Sequence, residues 1–375
     1  MDQSDQTLAK GCTVMKRIVS SCVVIVCIVI FDQSCFSQQM TFQSFLDRFD
    51  SNNDKLIQKD EAKNLLLKNF SRVDTNSDGQ LDEREINSLV KRLSAAGQNR
   101  RQGGQRDQQP IPDSVRMEED ISYREGSSKK WKIDIYYPST PSTTRRPGIV
   151  FVHGGGWRSG DKGTGLWRSL PVSYAEKGFV CISVNYRLLD EASFPACIED
   201  CKNAVRWLRA HADMYSLDPN RVGAFGISAG AHLVAMLGLA DRDVGLEGDG
   251  PYKDVSSQVQ SVVCCATPTN FLNWDGTSPR QEERVARFFP DLSAADALKM
   301  VEKVSPITHV RKDIPFLVIH GTADTTVPIY QGDCFVEALK QANADVTYIR
   351  VEGARHGVFA QSSDKTYPAT EAFFN

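Results

Sequence analysis

Apolar positions along the chain follow three rhythms. The first is one continuous run, Ile18 to Phe31 (IVSSCVVIVCIVIF), with Lys16 and Arg17 just before it and Asp32 just after. It is shorter than the roughly 20 residues that cross a bilayer. The second rhythm is helical. Phe42, Phe45, Leu46 and Phe49, and later Ile86, Leu89, Val90 and Leu93, recur at spacings of three and four and predict amphipathic helices. The third begins near residue 113. Short β-rich runs (WKIDIYYP, PGIVFVHGGG, GFVCISVNY, RVGAFGIS, QSVVCCAT, PFLVIHG and DVTYIRV) alternate there with amphipathic stretches such as PACIEDCKNAVRWLRAHADMY and GDCFVEALKQAN. This alternation predicts an α/β domain, a mostly parallel sheet with helices on both faces.

The rhythms divide the chain into residues 1–37, 38–97, 98–112 and 113–375. In the first segment, basic residues, an apolar stretch and then the small or polar DQSCFSQQ form the layout of a secretory signal peptide. Cleavage is expected near Ser37, and Met15 stands where such a peptide begins. An exported protein, periplasmic or extracellular, is the expectation; the alternative is an uncleaved segment that anchors the chain to a membrane. No second long apolar run exists, which excludes a polytopic membrane protein and leaves no stable span expected. Residues 98–112 (QNRRQGGQRDQQPIP) lack apolar periodicity until Ile111 and read as a flexible tether.

Charge and cysteine usage narrow the classes further. Forty-four Lys and Arg against 47 Asp and Glu leave a net charge of -3. A nucleic-acid partner would require clustered basic charge, so none is expected. Ten cysteines in 375 residues are too few for a disulfide scaffold. Cys197 and Cys201, four apart on one helix face, read as small core residues, and no CxxC spacing occurs.

Residues 38–97 carry two acidic loops. In DTNSDGQLDERE, Asp74, Asn76 and Asp78 offer side-chain oxygens at positions 1, 3 and 5. Gly79 permits the sharp turn at 6, Gln80 offers its carbonyl at 7, Asp82 stands at 9, and Glu85 can bind bidentately at 12. Such a ring of oxygens suits a hard cation, and the segment resembles an EF-hand calcium loop. The earlier copy, DSNNDKLIQKDE, has Asp50, Asn52, Asp54 and Glu61 at positions 1, 3, 5 and 12, with Lys55 in place of the turn glycine. Weaker binding, or none, is expected there. Ile57 and Leu81 hold position 8, the apolar position that pairs neighbouring loops. Only one short helix fits between the loops, a departure from the usual EF-hand pair. A small all-α EF-hand domain holding structural calcium is the expectation.

Residues 113–375 carry the chemistry. GISAG (Gly226 to Gly230) follows a strand run and precedes the helix run AHLVAMLGLA. A strand-to-helix elbow there would push Ser228 outward, with the flanking glycines removing obstruction. HGGGW (His153 to Trp157) ends an earlier strand run; its consecutive glycines expose backbone N–H groups, as an oxyanion hole requires. Gly155 and Gly156, with Ala229, are the expected donors. His153 precedes them and reads as a loop-orienting residue. An acid and a histidine must follow the serine, and Asp324 in HGTADTTVP and His356 in EGARHGVF do so, each just after a strand candidate. His211 and His232 fall in helix patterns, His309 precedes the acid and His320 ends a strand; these four read as structural.

Together these motifs resemble the α/β-hydrolase superfamily, in its HGGG-type esterase and lipase branch. VNYRL, FPACIEDCKNAVRWLRAHA, LDPNRVGAFGISAGAHL and SPITHV further resemble bacterial feruloyl/acetyl-xylan esterase-like enzymes. The resemblance covers nearly all of residues 113–375. It implies an α/β-hydrolase fold and a serine carboxylesterase with Ser228 as nucleophile, His356 as general base and Asp324 as orienting acid. No cofactor is needed for that catalysis, and the implied partner is an ester substrate, carbohydrate-linked in this group. Two alternatives stand beside it. One is a lipase or general short-chain carboxylesterase, which the scarcity of long apolar stretches in the cap candidate (residues 268–305) speaks against as regards a lipid-binding lid. The other is a calcium-dependent binding protein with a degenerate hydrolase domain, against which stands the complete set of three residues. Arg355, just before His356, departs from the glycine common in such enzymes. It would narrow the acyl pocket or meet an acidic substrate group.

Overall fold

The computed structural model describes residues 42–62, 66–67, 70–76, 78–90, 110–276, 288–289 and 292–375. The leader with its cleavage point, Leu93, residues 98–109 of the tether and most of the middle of the cap candidate lie outside the described residues. The chain divides into two compact units, Met1–Gln102 and Gly103–Asn375, and the division falls within the stretch read above as the tether. Among the described residues no helix is long and apolar enough to cross a membrane.

In the first unit, α1 (Phe42–Phe49) leads into the first acidic loop, and α2 (Phe70–Val73) leads into the second. Residues 83–90 form a helix beyond the second loop. The two loops meet in a short antiparallel ladder, β1 (Ile57–Gln58) against β2 (Gln80–Leu81), with Ile57 opposite Leu81. Both position-8 side chains are fully buried, in a core with Phe45, Leu46, Leu66, Phe70 and Ile86. Burial of each such aliphatic side chain contributes about 1.5–3 kcal/mol, so the ladder ties the loops together through apolar contact as much as through its hydrogen bonds.

The second unit is built on eight strands: β3 (Val115–Ser122), β4 (Lys132–Pro138), β5 (Arg146–Val152), β6 (Val180–Val184), β7 (Leu217–Ile227), β8 (Ser261–Cys265), β9 (Phe316–Gly321) and β10 (Val346–Val351). Their order across the sheet is β10-β9-β8-β7-β5-β6-β4-β3. Strands β5 to β10 run parallel to one another, while β4 pairs antiparallel with both β6 and β3. Alternate residues of each central strand enter opposite layers. Val150, Ile182, Ala224, Cys264 and Val318 face one apolar cluster; Phe151, Cys181, Phe225, Cys265 and Ile319 face the other.

Helices cover both faces. On the first face lie α4 (Ala196–Ala210), α5 (Ala229–Leu239), α6 (Ala294–Lys303) and α7 (Ile329–Gln341). The second face is covered by α3 (Leu166–Glu176), α8 (Val358–Gln361) and α9 (Ser363–Phe374). The mostly parallel sheet with helices on both faces is as the apolar rhythm implied. Two details differ. The strand β3 is absent from the sequence reading, because it is an edge strand with only Val115 buried and a register shift between Glu118 and Ile121 that breaks its alternation. Helix α4 stops at Ala210, so His211 is its C-terminal cap rather than a helical residue. Cys197 and Cys201 are buried in the first layer, and the six cysteines from Cys181 onward are free thiols.

Candidate active site

The parallel strands deliver their C-terminal ends to one edge of the sheet, and the site assembles there. Strand β7 ends at Ile227 and α5 begins at Ala229, so Ser228 alone makes the turn, at φ 58° and ψ −123°. Its N–H donates to Cys265 O on the neighbouring strand (2.8 Å), and its carbonyl accepts from His232 N (3.1 Å). The elbow is tight. A Cβ on Gly230 would collide with the Val152 carbonyl, and one on Gly226 would collide with Gly230, so the spacing of the GISAG motif is a packing requirement.

Ser228, His356 and Asp324, 128 and 32 residues apart along the chain, form one hydrogen-bonded line. His356 Nδ1 lies 2.8 Å from Asp324 Oδ2, and its Nε2 lies 2.9 Å from Ser228 Oγ. Because a carboxylate only accepts, Nδ1 carries the proton and Nε2 is left to accept from the hydroxyl. The other carboxylate oxygen, Oδ1, accepts from the N–H groups of Thr326 (2.8 Å) and Val327 (3.0 Å). Burial alone would raise the pKa of this carboxyl. Interactions with His320 and His356 and the Val327 N–H outweigh it and hold the group well below the usual carboxylate range. Asp324 is therefore a fixed anion. His320, read as structural, is buried with Nε2 2.9 Å from Val327 O and 3.6 Å from Asp324 Oδ2, behind the acid rather than beside the serine.

Gly155 and Gly156 follow β5, with φ of 115° and 60°. Among the described residues, the N–H groups of Gly155, Gly156 and Ala229 donate to no other group of the protein. Three free amides, one of them at the N-terminus of α5, therefore stand close to the serine elbow as potential donors to a developing oxyanion. The two glycines are not equivalent. A Cβ on Gly155 would collide with Ser159 O, whereas one on Gly156 would meet nothing within 4 Å.

The loop carrying these glycines is fastened from below by groups that the sequence reading left out. Its Lys162 side chain is buried between Asp134 of β4 (2.6 Å) and Asp120 of β3 (2.8 Å). Asn185 accepts from Lys162 N (2.8 Å) and donates to Asp161 (3.0 Å), while Ser183 donates to Lys162 O (2.9 Å). The available signal was Asp134, a charge at a buried position of the otherwise apolar run IDIYY. His153 lies under the loop, stacked on Tyr186 at 4.4 Å, away from the proton path.

His153 and His232 are both buried, and burial lowers each to about 4. Unfolded, each takes a proton near 6.5, so between these pH values the unfolded chain binds more protons than the fold. Stability is then complete above about pH 6.5 and falls toward pH 4, by up to about 1.4 kcal/mol per pH unit for each histidine. Urea midpoints measured between pH 7.5 and 5 should fall accordingly, and His232→Gln should lessen the slope. A flat profile would mean that both imidazoles take up protons in the fold as readily as in the unfolded chain.

The two acidic loops share one pattern of internal hydrogen bonds. Asp74 accepts from Asp78 N (3.2 Å) and Gly79 N (3.0 Å), as Asp50 does from Asp54 N (3.3 Å) and Lys55 N (3.0 Å). Glu85 accepts from Thr75 N (2.6 Å), as Glu61 does from Ser51 N (2.8 Å). Gly79 has φ 83° and Lys55 φ 67°, so the lysine adopts the same left-handed turn with a side chain attached. Asn52, Asp54, Asn76 and Asp78 remain at the exposed rims, with Gln80 and Asp82 half-buried. These donors are all oxygens, as a hard cation prefers. Among the described residues, however, no group of three or more His, Cys, Asp or Glu side chains is arranged to hold a metal ion.

Over residues 133–339, more than half of its length, the chain matches the BD-FAE family. It is 30% identical over 308 residues to the probable carboxylic ester hydrolase LipM of Mycobacterium tuberculosis, covering 78% of this chain and 70% of that protein. Esterase LipC of the same organism is 30% identical over 246 residues, 64% of this chain and 60% of LipC, so the chain spans only part of these relatives' length. Among solved structures, a truncated carbohydrate esterase from gut microbiota aligns with TM-score 0.61 at 28% identity, covering 70% of this chain and 97% of that one. An esterase of Thermogutta terrifontis aligns with TM-score 0.58 at 28% identity, covering 72% and 93%.

Proposed function

The chain belongs to the BD-FAE family and its second unit is a carboxylesterase of α/β-hydrolase fold; from that premise we propose that the protein is exported and removes acetyl or feruloyl groups from polysaccharide through an acyl-enzyme. The observation that carries the mechanism is the line from Ser228 through His356 to Asp324, at 2.9 and 2.8 Å, beside three undonated amides. Ser228 Oγ bonds to the ester carbonyl carbon as His356 Nε2 takes its proton. The carbonyl oxygen, now anionic, accepts from Gly155, Gly156 and Ala229. Collapse breaks the bond to the alcohol oxygen, which leaves with the proton held by His356. Water then repeats the sequence on the acyl-enzyme and releases the carboxylic acid. The chemistry needs only these side chains and water.

The polysaccharide part of the proposal is supported by the gut-microbiota neighbour, which is a carbohydrate esterase, and export by the leader pattern of residues 1–37. A general short-chain carboxylesterase is the second reading, favoured by LipC and LipM. Acetate release from acetylated xylan, set against turnover of methyl ferulate and of short- and long-chain p-nitrophenyl esters, separates them. Release of acetate from the polysaccharide is the expected result; activity confined to p-nitrophenyl esters would favour the second reading.

Calcium belongs to the first unit in this proposal. Asp74, Asn76, Asp78, the Gln80 carbonyl, Asp82 and Glu85 would hold it, with Asp50, Asn52, Asp54 and Glu61 forming a weaker site because of Lys55. The ion would neutralise carboxylates crowded into each loop and stabilise that unit. A ligand at 100 times its Kd contributes about 2.7 kcal/mol, which in a domain this small shifts Tm by about 10 °C or more. Calorimetry of the full chain should show one transition that falls by this order in chelator. Glu85→Gln should remove most of the response, while kcat on p-nitrophenyl acetate stays the same in chelator. Calcium-dependent kcat would make the first unit a regulator of catalysis instead.

A further inference from the structure

Resting on the esterase reading, we propose that His320 is a positioning residue of the reaction, which acts through Val327 to lock the Asp324 carboxylate with Oδ2 turned toward His356. Among the described residues His320 has no hydrogen bond to Ser228 or His356. Its place in the turn after β9 gives it a hold on the acid instead. That strand ends at Gly321, and the chain turns at once: Asp324 N donates to Gly321 O (3.2 Å), and Ala323 N donates to Ala354 O (2.9 Å). The turn carries Asp324 back beside the end of its own strand. The side chains of His320 and Asp324, four residues apart, have no solvent exposure.

A carbonyl oxygen only accepts, so the 2.9 Å contact with Val327 O puts a proton on His320 Nε2. Val327 is thereby held at both of its backbone polar groups: its carbonyl accepts from His320, and its N–H donates to Asp324 Oδ1 (3.0 Å). The same Nε2 lies 3.6 Å from Asp324 Oδ2, too far for a hydrogen bond but close enough for its N–H dipole to favour the anion. Burial pushes the Asp324 carboxyl up, and the interaction with His320 leads those that pull it down, ahead of His356. The ring itself is wedged. A Cβ on Gly332 of α7 would come within 2.7 Å of His320 Nδ1, so the helix leaves room for the imidazole only by carrying glycine there.

The consequence falls on the catalytic imidazole. Oδ1 takes the N–H groups of Thr326 and Val327, which leaves Oδ2 to take the Nδ1–H of His356. His356 draws its tautomer and its direction from that bond. With Val327 untied from the strand, the loop could relax and the carboxylate turn. His356 Nε2 would then drift from Ser228 Oγ, which lies 2.9 Å away in the fold. A misplacement on the order of 1 Å costs about 100-fold in rate.

The test is kcat and KM on p-nitrophenyl acetate, measured on full-length variants. His320→Leu removes the donor and keeps an apolar side chain in its place. It should lower kcat by about 10-fold or more, with KM within about 3-fold of wild type. His320→Gln, whose amide nitrogen can stand in for Nε2–H, should recover most of that loss. The decisive measurement puts His320→Leu into the Asp324→Ala background. A residue that acts only through Asp324 has nothing left to position there, so the second substitution should change kcat by less than about 2-fold. A merely structural role would multiply the two losses. Multiplied losses, wild-type kcat in His320→Leu, or a glutamine variant as slow as the leucine one would overturn the proposal and leave the esterase reading intact. Should His320→Leu fail to fold, His320→Phe takes its place in the same cycle; failure of both to fold would make the residue structural and overturn the proposal too. No turnover of any ester by wild type would overturn both readings.

Discussion

Ser228→Ala should lower kcat on p-nitrophenyl acetate by about 10⁴-fold or more with KM little changed. The substitution removes one oxygen and alters little else. Alanine, like serine, carries a Cβ, so it meets the same backbone demand at φ 58°. The bonds that fix the elbow, Ser228 N to Cys265 O and His232 N to Ser228 O, are main-chain bonds and survive. Melting temperature and circular dichroism should therefore match the wild type. His356 would keep its bond to Asp324 and lose its acceptor role. Near-wild-type turnover by this variant would place the nucleophile elsewhere.

Asp324→Asn should cost nearly as much, about 10⁴-fold in kcat, although it exchanges a single atom. Its cause is the division of labour between the two carboxylate oxygens. Oδ1 accepts from Thr326 N and Val327 N, and only an oxygen can do that, so the asparagine carbonyl takes that position. The amide nitrogen is then turned toward His356 Nδ1 and can only donate. That forces the imidazole proton onto Nε2, which faces Ser228 Oγ and can no longer accept from it. The nucleophile is intact but has no base. Asp324→Ala, which leaves the tautomer free, should be no worse than Asp324→Asn. If the asparagine variant kept a tenth of wild-type kcat, the acid would be dispensable for holding the tautomer.

Much of this site is legible in the sequence, for local reasons. A serine between glycines after an apolar run and before a helix pattern is a steric statement about three consecutive residues, and the collision at Gly230 is its cause. The order of Asp324 and His356 after Ser228 followed from strand ends: β9 is apolar and wholly buried, and β10, an edge strand with only Val351 buried, still carries a β-branched and aromatic run. Long-range effects were not legible. Nothing local distinguishes Gly155 from Gly156; the difference is the carbonyl of Ser159 folding back on one and not the other. The edge strand β3 has Glu118, Glu119 and Asp120 in its middle, and it pairs only because β4 offers a free edge. The aromatic packing on Trp157 joins residues from four separate segments, which no periodicity links.

The ion pair beneath the oxyanion loop has a consequence for how the chain can diverge. Lys162 and Asp134 are almost wholly enclosed, and they belong to different elements 28 residues apart. Removing Lys162 strands the buried Asp134 carboxylate, at a cost of about 3–5 kcal/mol, a large share of what holds a domain of this kind folded; removing Asp134 leaves the enclosed Lys162 only the half-exposed Asp120. Exchanging both for well-packed apolar residues carries no such penalty. The two positions thus form a single heritable unit: each sequence that lacks one partner must first cross a poorly folded intermediate. Among descendants of this sequence the pair should be kept together or lost together, and the glycine loop above it inherits that constraint.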